Sequence, residues 1–293
     1  MEILSQDKPI IFNGGTLTLN GDVVELRQKN QEEKLEEIDA TAPSFQQDYL
    51  VQRARAAYRA TLCQPEASCD LSIAAQHKLP TVTDTKALND RIRWQLNNRQ
   101  RGINYDPVDL PTTKLFVFVD GSFANNQDFS SQIGYTIILA NEEPTEDGNS
   151  FNIHGNLVDW RSVKSKRVTR SVLASEIYAM TAGVDMAYAL GTTLAMITAQ
   201  LSLPTIPIVV CTDSYSLYEC LVKLGTTKEK RLMIDIMAIR QSYERREVYE
   251  VRWIHGDDNP ADAMTKSKPN KALETFINSN SLEVRVEGWV KRD

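Results

Sequence analysis

The sequence predicts an α/β protein in which helices flank a mixed sheet, preceded by a smaller region made of one hairpin and helices. Residues 115–119 and 206–211 are continuously apolar, which is typical of strands buried on both faces. Between these runs, apolar residues recur in steps of three or four, as on an amphipathic helix: Leu173, Ile177, Met180, Val184 and Tyr188. After residue 113 the elements follow the order β-β-β-α-β-α-α-β-α, which predicts one domain with a mixed five-stranded sheet.

The first part of the chain has a different pattern of predicted elements. Residues 16–19 and 23–26 flank Asn20 and Gly21, which suit a type I′ turn, so this segment predicts a β-hairpin. The charged stretch 28–39 can form a solvated helix, and apolar residues have helical spacing in 44–62 and 84–98. Residues 101–113 contain one Gly and two Pro without periodicity. We therefore expect a first domain at 1–109 and a second at 114–293.

Within the second domain, residues 133–139 and 152–160 follow the first strand after short loops, as antiparallel neighbours do. Helices are expected at 214–224 and 228–243, with a last core strand at 251–254. Pro260, preceded by Asn259, is expected to open a final helix. The residues after 269 allow only a short terminal strand to be suggested.

Composition and charge exclude several classes of protein. Of the 293 residues, 42% are hydrophobic and 25% are charged, which is close to an ordinary globular chain and excludes wholesale disorder. No apolar run approaches the roughly 18 residues needed to span a bilayer, and the N-terminus lacks the pattern of a signal peptide. We expect an intracellular, cytoplasmic protein without a membrane partner.

Cysteine usage and net charge narrow the classes further. The chain has four Cys and three His residues without a CxxC pair, so neither a structural zinc site nor a disulfide framework is expected. The net charge of -6 argues against a globally basic nucleic-acid-binding protein. A local basic face remains compatible with that charge.

Four acidic residues occupy positions where chemistry is expected. Asp120 and Asp213 each follow a buried strand, and ligand sites in α/β sheets form beyond such strand ends. Glu176 lies in the first turns of the helix after the third strand, and Asp262 lies in the first turn after Pro260. Carboxylates brought together either raise each other's pKa or recruit a cation such as Mg²⁺.

Each of these acids also has an ordinary structural interpretation. Asp120 can end a strand in a Gly turn, and Asp213 can cap the following helix. Glu176 can be a solvated helix residue, while Asp262 suits a helix N-terminus. The joint pattern of all four favours a cation site.

Five sequence words carry a resemblance to a known family: VDGSFANN, SSQIGYTIILA, VDWRSVKSKRVTRSVLASEIYAM, CTDSYSLYECL and GDDNPADAMTK. On the basis of these motifs, residues 114–266 resemble the ribonuclease H domain of copia-type LTR retrotransposon polyproteins, especially fungal ones. Residues 9–98 resemble the C-terminal tail of the adjoining reverse transcriptase. The polymerase motif Tyr-x-Asp-Asp and the fingers of that enzyme are absent from the sequence, so DNA synthesis by this chain alone is not expected.

The resemblance implies a ribonuclease H-like fold and a set of metal ligands. Asp120, Glu176, Asp213 and Asp262 match the four metal-binding acids of the family. Transposases and integrases place their glutamate last, and proofreading exonucleases have a Glu where this chain has Ser122, so the order favours ribonuclease H. The implied chemistry is two-metal hydrolysis with Mg²⁺, for which Mn²⁺ can substitute. Asp120 would bridge the ions, Glu176 and Asp213 would complete one shell, and Asp262 would serve the other.

Further residues are candidates for substrate handling. His255 matches a loop histidine that in many ribonucleases H aids proton transfer or product release, and its alternative is a loop residue without a role. The basic residues before the Glu176 helix are candidates for phosphate binding: Lys164, Lys166, Arg167 and Arg170. An ordinary solvated surface is the alternative for all four.

The leading hypothesis is an endonuclease that hydrolyses the RNA strand of RNA–DNA hybrids during retrotransposon reverse transcription. Its expected partners are the hybrid and the rest of a reverse transcriptase, and retrotransposon particles are an expected location. The alternative is a catalytically silent remnant of a polyprotein that binds nucleic acid or protein without cleaving.

Overall fold

The chain divides into two units, Met1–Asp106 and Pro107–Asp293. A computed structural model describes residues 3–29, 32–146, 148–222, 227 and 229–291. The division between the units lies inside the segment 101–113, whose Gly and Pro residues interrupt any periodic pattern.

The first unit combines a small antiparallel sheet with three helices. Its four strands pair in the order β1 (Ile10–Phe12), β2 (Gly15–Asn20), β3 (Val23–Gln28) and β4 (Ile103–Tyr105). The helices are α1 (Phe45–Leu62), α2 (Ser68–Ala74) and α3 (Val82–Asn97). Tyr49, Leu88 and Ile92 are buried in the helical core of this unit.

The hairpin β2–β3 confirms the predicted hairpin, but the type I′ turn predicted at Asn20 and Gly21 was wrong, since Asp22 lacks the positive φ that this turn requires at both central residues. Because Asn20 pairs with Val23, the two turn residues are Gly21 and Asp22, and Gly21 adopts a φ of +62°. Neither β4 nor α2 was expected from the sequence. Both are short elements, and short elements leave little periodic signal.

The prediction of a solvated helix in the charged stretch 28–39 was wrong over the residues that the structure describes there. Only Glu32–Lys34 form a turn of 3-10 helix. Leu35 and Ile38 are buried in the helical core, and Asn89 hydrogen-bonds both the backbone N–H and the carbonyl of Ile38, at 2.8 Å each. These tertiary contacts fix residues 35–39 without helical structure, despite the helix-favouring composition of the segment.

The second unit contains the predicted mixed sheet. Its elements are β5 (Lys114–Ser122), β6 (Gln132–Pro144), β7 (Ser150–Lys164), α4 (Val172–Gln200), β8 (Ile208–Thr212), α5 (Tyr215–Val222), α6 (Met233–Glu244), β9 (Glu250–Ile254), α7 (Ala272–Ser279) and β10 (Ser281–Lys291). The strand order is β10-β7-β6-β5-β8-β9. β5, β6 and β7 are antiparallel neighbours, whereas β8 runs parallel to both β5 and β9. The α/β fold class predicted from the sequence, a mixed sheet flanked by helices, is confirmed.

The two faces of the central strand β5 pack against different layers. Leu115, Val117 and Val119 belong to the large core that α4 covers. Phe116 and Phe118 lie on the opposite face, and both are fully buried. This burial on both faces explains why the strand is continuously apolar.

The C-terminal strand β10 is a sixth strand and is longer than the short terminal strand suggested by the sequence. Ser281–Arg285 pair with β7, and Val286–Lys291 pair with β9, so one strand joins the two edges of the sheet. A register irregularity between Val286 and Gly288 marks the change of partner. β10 therefore closes the sheet, because β7 and β9, which would otherwise be edge strands, each pair with part of β10.

The final helix predicted at Pro260 is a short turn of 3-10 helix, Pro260–Met264, and α7 begins only at Ala272. Asn259 still caps that turn, as expected from its position before the proline. The predictions for α5 and α6 extended to residues 223–224 and 228, which lie outside the described residues. Among the residues described, no helix combines the length and the apolar character that crossing a membrane requires.

A charged cluster is buried on the sheet face opposite α4. Arg252 of β9 is fully buried, and its guanidinium contacts Glu142 at 2.6 Å and Glu250 at 2.8 Å. The guanidinium also lies 4.4 Å from the ring centroid of Phe151. Paired carboxylates satisfy a charge that would otherwise be strongly disfavoured in the interior.

We expect Arg252→Met to lower the free energy of unfolding by about 3–5 kcal/mol, because it removes the buried guanidinium from Glu142 and Glu250 and leaves them the partly exposed ammonium of Lys114 as counter-charge. Arg285→Met is the matched control, since Arg285 forms an exposed ion pair with Asp258 at 2.7 Å. That control should change stability by about 0–1 kcal/mol. Denaturant unfolding measures both, and equal losses in the two variants would contradict the assigned role of Arg252.

Candidate metal centre

Three carboxylates converge at one edge of the sheet in the second unit. Asp120, Glu176 and Asp213 each offer one oxygen, and these oxygens lie within 4.8 Å of one another. Asp120 and Glu176 are buried, while Asp213 is half-buried. In the described part of the chain, this is the one cluster of three or more His, Cys, Asp or Glu side chains with such geometry.

Strand pairing positions Asp120 and Asp213. β5 and β8 are parallel neighbours, and Val119 of β5 pairs with Thr212 of β8. An aspartate follows each of these two residues: Asp120 still pairs with Gly134 of β6, and Asp213 comes directly after the end of β8, so the two lie side by side. The sequence predicts where these aspartates lie along the chain, and the pairing of β5 with β8 brings them into one site.

A close contact between β5 and α4 positions Glu176. A Cβ atom at Gly121 would lie 2.4 Å from the carbonyl carbon of Ser175, so only glycine fits at this point. The hydroxyl of Ser175 donates a hydrogen bond of 3.1 Å to the carbonyl of Gly121. The side chain of Ser171 caps α4 by accepting from the N–H of Ala174, so Glu176 lies in the second turn and faces β5.

Burial and mutual repulsion shift the carboxyl groups toward their neutral forms. Burial, followed by the charge of Asp213, raises the pKa of Asp120 to about 7. Burial and the charge of Asp120 raise the pKa of Glu176 well above its ordinary value. Burial also raises the pKa of Asp213. The site therefore favours binding a positive charge or a proton.

The donor set fits a hard divalent cation. All three donors are carboxylates, the ligand type that Mg²⁺ and Mn²⁺ prefer in proteins. The Oε2 atom of Glu176 is buried and has no hydrogen-bond partner among the described residues. A buried carboxylate oxygen without a partner is strongly disfavoured unless a cation or water satisfies it. Asp120, Glu176 and Asp213 would hold such an ion.

Asp262, the fourth predicted acid, is buried but lies outside the set of three. Its Oδ2 atom accepts a hydrogen bond of 2.8 Å from the backbone N–H of Asn270. Its Oδ1 atom contacts the ammonium group of Lys266. The hydroxyl of Thr265 donates to Asp120, which links the turn that carries Asp262 to the end of β5.

Two asparagines support the site, and only one of them was expected to contribute. Asn259 caps its turn as predicted, and its Nδ2 also donates to the carbonyl of Val119 at 2.9 Å, which attaches the turn to β5. Asn270 was not identified from the sequence. Its side-chain Nδ2 donates to the carbonyls of Gly256 and Asn259, while its backbone binds Asp262. In the sequence, the only indication of a role for Asn270 was its position shortly before the suggested terminal strand.

His255 follows β9 and caps the turn Gly256–Asp258. Its Nδ1 atom accepts a hydrogen bond of 3.3 Å from the N–H of Asp257, and its side chain is 37% exposed. A Cβ atom at the next residue, Gly256, would lie 3.4 Å from a carboxylate oxygen of Asp213. The loop therefore borders the acidic site, and the imidazole itself is partly open to solvent.

Two of the four predicted basic residues are paired with acids. Lys164 forms an ion pair with Asp128. Arg167 forms one with Asp235 at 2.9 Å, and its guanidinium lies 4.9 Å from the ring centroid of Tyr178. These contacts brace the segment between β7 and α4 and reduce the charge that both residues offer to a ligand.

Lys166 and Arg170 differ from these two residues. Both are exposed, and neither forms an ion pair with any residue that the structure describes. The charge of Arg170 acts on Glu229, whose pKa is lowered chiefly by a hydrogen bond from Ser171. Lys166 and Arg170 are thus the better placed of the four to meet a phosphate.

Comparisons with curated proteins connect the chain to retrotransposons. No protein-family model matches it. The chain is 24% identical over 186 residues to the Ty1-ER2 and Ty1-MR2 transposon Gag-Pol polyproteins of Saccharomyces cerevisiae, a match that covers 63% of this chain. The chain spans about a tenth of the length of these relatives, since 10% of each is covered. This similarity confirms the resemblance to a retrotransposon Gag-Pol polyprotein.

Comparisons with solved structures find ribonucleases H and a viral enzyme. LC11-RNase H1 from compost has a TM-score of 0.37 at 18% identity, covering 55% of this chain and 98% of that one. The same enzyme with an RNA/DNA hybrid has a TM-score of 0.38 at 19% identity, covering 55% of this chain and 99% of that one. A mutant prototype foamy virus protease-reverse transcriptase has a TM-score of 0.29 at 13% identity, covering 90% of this chain and 36% of that one.

We expect Asp120→Asn to stabilise the metal-free protein at pH 8, because it removes one charge from a crowded, buried cluster. A gain of about 1 kcal/mol would raise the unfolding midpoint by about 2–4 °C. The folded-state pKa of Asp120, about 7, lies above the ordinary value of 3.8, so the folded parent gains stability as pH falls through 7. The advantage of the variant should therefore shrink at pH 5.

Thermal unfolding in a chelator at pH 5 and pH 8 measures this difference. Asp90→Asn is the matched control, because the Asp90 side chain is 60% exposed and carries the same substitution. A gain that is absent at pH 8, or that is equal at both pH values, would show that the carboxylates do not repel one another as described.

Proposed function

We propose that the second unit is a ribonuclease H that hydrolyses the RNA strand of RNA–DNA hybrids. The observation that carries this proposal is the convergence of Asp120, Glu176 and Asp213, whose oxygens lie within 4.8 Å of one another at the sheet edge. The order of these acids along the chain and the similarity to Ty1 Gag-Pol polyproteins support it. Retrotransposon reverse transcription requires removal of RNA from such hybrids, which fits this activity.

We infer roles for the four acids in holding two Mg²⁺ ions, for which Mn²⁺ can substitute. Asp120 is the ligand shared by both ions, Glu176 and Asp213 complete the shell of one, and Asp262 serves the other. Two ions of this kind activate a water nucleophile and stabilise the leaving oxygen of a phosphodiester. The expected products carry a 3′-hydroxyl and a 5′-phosphate.

Substrate selection requires two kinds of contact. Lys164, Lys166, Arg167 and Arg170 supply sequence-independent attraction for phosphates, with Lys166 and Arg170 free of ion pairs among the described residues. Discrimination of RNA from DNA requires contacts to 2′-hydroxyl groups, because only that group differs at a given position. Polar groups bordering the three acids are the expected source of those contacts.

His255 is proposed to assist proton transfer or product release. It borders the acidic site through the adjacent Gly256, and its partly exposed imidazole can exchange protons with solvent. The alternative role is that of a cap, since its Nδ1 atom accepts the N–H of Asp257.

The first unit is proposed to be the C-terminal tail of a reverse transcriptase, and the rest of that enzyme is the proposed partner. The chain covers a tenth of its Gag-Pol relatives, so the activities of the whole polyprotein are not assigned to it. Cytoplasmic retrotransposon particles are the proposed location. A catalytically silent remnant that binds nucleic acid or protein is the alternative function.

We expect the protein to cleave the RNA strand of a labelled hybrid in the presence of Mg²⁺ or Mn²⁺. Asp213→Asn should lower the cleavage rate at least about a hundredfold, because it removes a charged oxygen from the metal site while keeping the shape of the side chain. Gel analysis of hybrid, single-stranded RNA and double-stranded DNA measures rate and specificity together.

Asp90→Asn again serves as the control and should cleave like the parent, because Asp90 is exposed and belongs to no acidic cluster among the described residues. Equal traces of cleavage by the parent and by Asp213→Asn would indicate contamination. That outcome would leave the silent remnant as the remaining candidate.

Charge reversal at the basic segment should weaken hybrid binding. We expect Lys166→Glu combined with Arg170→Glu to lower affinity and to reduce the slope of log K against log salt concentration by about 1–2, since two phosphate contacts are lost. Binding is measured across a salt series in the Asp213→Asn background, which prevents cleavage.

The control for this measurement reverses two exposed charges at the C-terminal end of α6, Arg245→Glu with Arg246→Glu. These residues lie at the end of the sheet where β9 is about to begin, so they should not meet the substrate. If the two double variants have the same affinity and the same salt slope, the basic segment has no specific role.

A further inference from the structure

Lys266 places a positive charge inside the acidic site. It follows Asp262 by four residues, and its ammonium group contacts the Oδ1 atom of Asp262. The ammonium also interacts electrostatically with Asp120 and Asp213. One lysine thus faces carboxylates that come from three separate parts of the chain.

The environment of Lys266 favours its charged form. Burial acts to lower the pKa of the ammonium, but the surrounding carboxylates, Asp120 first among them, raise it overall. In the reverse direction, Lys266 lowers the pKa values of Asp120, Glu176 and Asp213 against the dominant effect of burial. The lysine therefore partly neutralises a cluster that would otherwise repel itself.

The two sides of the site differ in how open they are to a cation. Glu176 keeps one buried oxygen without a hydrogen-bond partner among the described residues. Asp262 has both oxygens engaged, one by Lys266 and the other by the N–H of Asn270. Each oxygen of Asp262 keeps a further lone pair, but a divalent ion bound at Oδ1 would lie close to the ammonium group, and the repulsion between the two positive charges favours displacement of the ammonium.

Lys266 has a path out of the site. Its side chain is 46% exposed, whereas that of Asp262 is 6% exposed. A flexible four-carbon stem allows the ammonium to move toward solvent while the carboxylate stays in place. The same motion would be blocked for a fully buried lysine.

We propose that Lys266 is an exchangeable internal cation that occupies the Asp262 side of the site until a divalent ion displaces it. This inference rests on the proposed role of the four acids as metal ligands. It assigns Lys266 as a positioning residue: it holds Asp262 in place in the metal-free protein and makes the second divalent ion bind more weakly than the first.

The first test uses the unmodified sequence and Mn²⁺ alone. An amine-reactive ester labels lysines, and mass spectrometry compares the labelling rate at Lys266 with and without Mn²⁺ at constant pH. Displacement frees the Lys266 amine from its contact with Asp262 and moves it into solvent, so labelling of Lys266 should become faster when Mn²⁺ is present. Lys271, which is 83% exposed and pairs with Glu274, should label at the same rate in both conditions. Unchanged or slower labelling of Lys266 would overturn the proposal.

The second test measures ion binding by calorimetry. Lys266→Met should raise the affinity of the weaker Mn²⁺ site by about tenfold, since one unit charge near the ion is removed, and should lower the unfolding midpoint in a chelator. Lys266→Arg keeps the charge and should leave the weaker site no tighter than in the parent. Lys271→Met is the matched control and should change neither quantity. An unchanged or reduced affinity in Lys266→Met, with circular dichroism showing a folded protein, would contradict the exchange.

These measurements separate the inference from the proposed function. A parent protein that shows both Mn²⁺ effects but does not cleave a hybrid would disprove the nuclease and leave the cation exchange intact. A parent protein that cleaves the hybrid, while Lys266 neither moves nor affects Mn²⁺ affinity, would disprove the cation exchange and leave the nuclease intact.

Discussion

The pairing of two parallel strands, β5 and β8, is the constraint on which the rest of the site depends. Their register pairs Val119 with Thr212, so Asp120 and Asp213, the residues that follow, lie side by side, with Asp120 buried and Asp213 half-buried. Two like charges in such surroundings repel strongly, and the elevated pKa of Asp120, about 7, follows from burial and from that proximity. The fold therefore concentrates negative charge at one edge of the sheet, and the nearby structure compensates for it.

Compensation comes from residues on the turn between β9 and α7. Thr265 donates a hydrogen bond to Asp120, Lys266 contacts Asp262, and Asn259 attaches the turn to the carbonyl of Val119. Of the four acids, Glu176 is the one that keeps a buried oxygen without a hydrogen-bond partner among the described residues. This uneven compensation is what a site for cations requires: enough stabilisation to fold without metal, and one position left for a ligand to satisfy.

The buried charges around Arg252, in contrast, are all paired with opposite charges. Arg252 is buried with Glu142 and Glu250, and its guanidinium is bonded on several sides. Acids that meet a fixed guanidinium serve stability and strand register, whereas acids that meet one another are available for chemistry. The same residue types thus have two functions on one sheet, and the difference lies in which partner the topology brings to them.

The sequence by itself determined the class of fold, the central strands, the α4 stripe and the four acidic positions, because these depend on local periodicity and on residue identity at strand ends. The sequence could not determine that β10 joins both edges of the sheet, that residues 35–39 form no helix, or that Asn270 supports Asp262, because each depends on contacts distant in the chain. Only the tertiary structure decided that Asp120, Glu176 and Asp213 form one cluster and that Lys266 and Asn270 engage the carboxylate oxygens of Asp262. The physical reason is that distances between charges are set by strand pairing and by the approach of α4 at Gly121, and neither is visible in any single stretch of sequence.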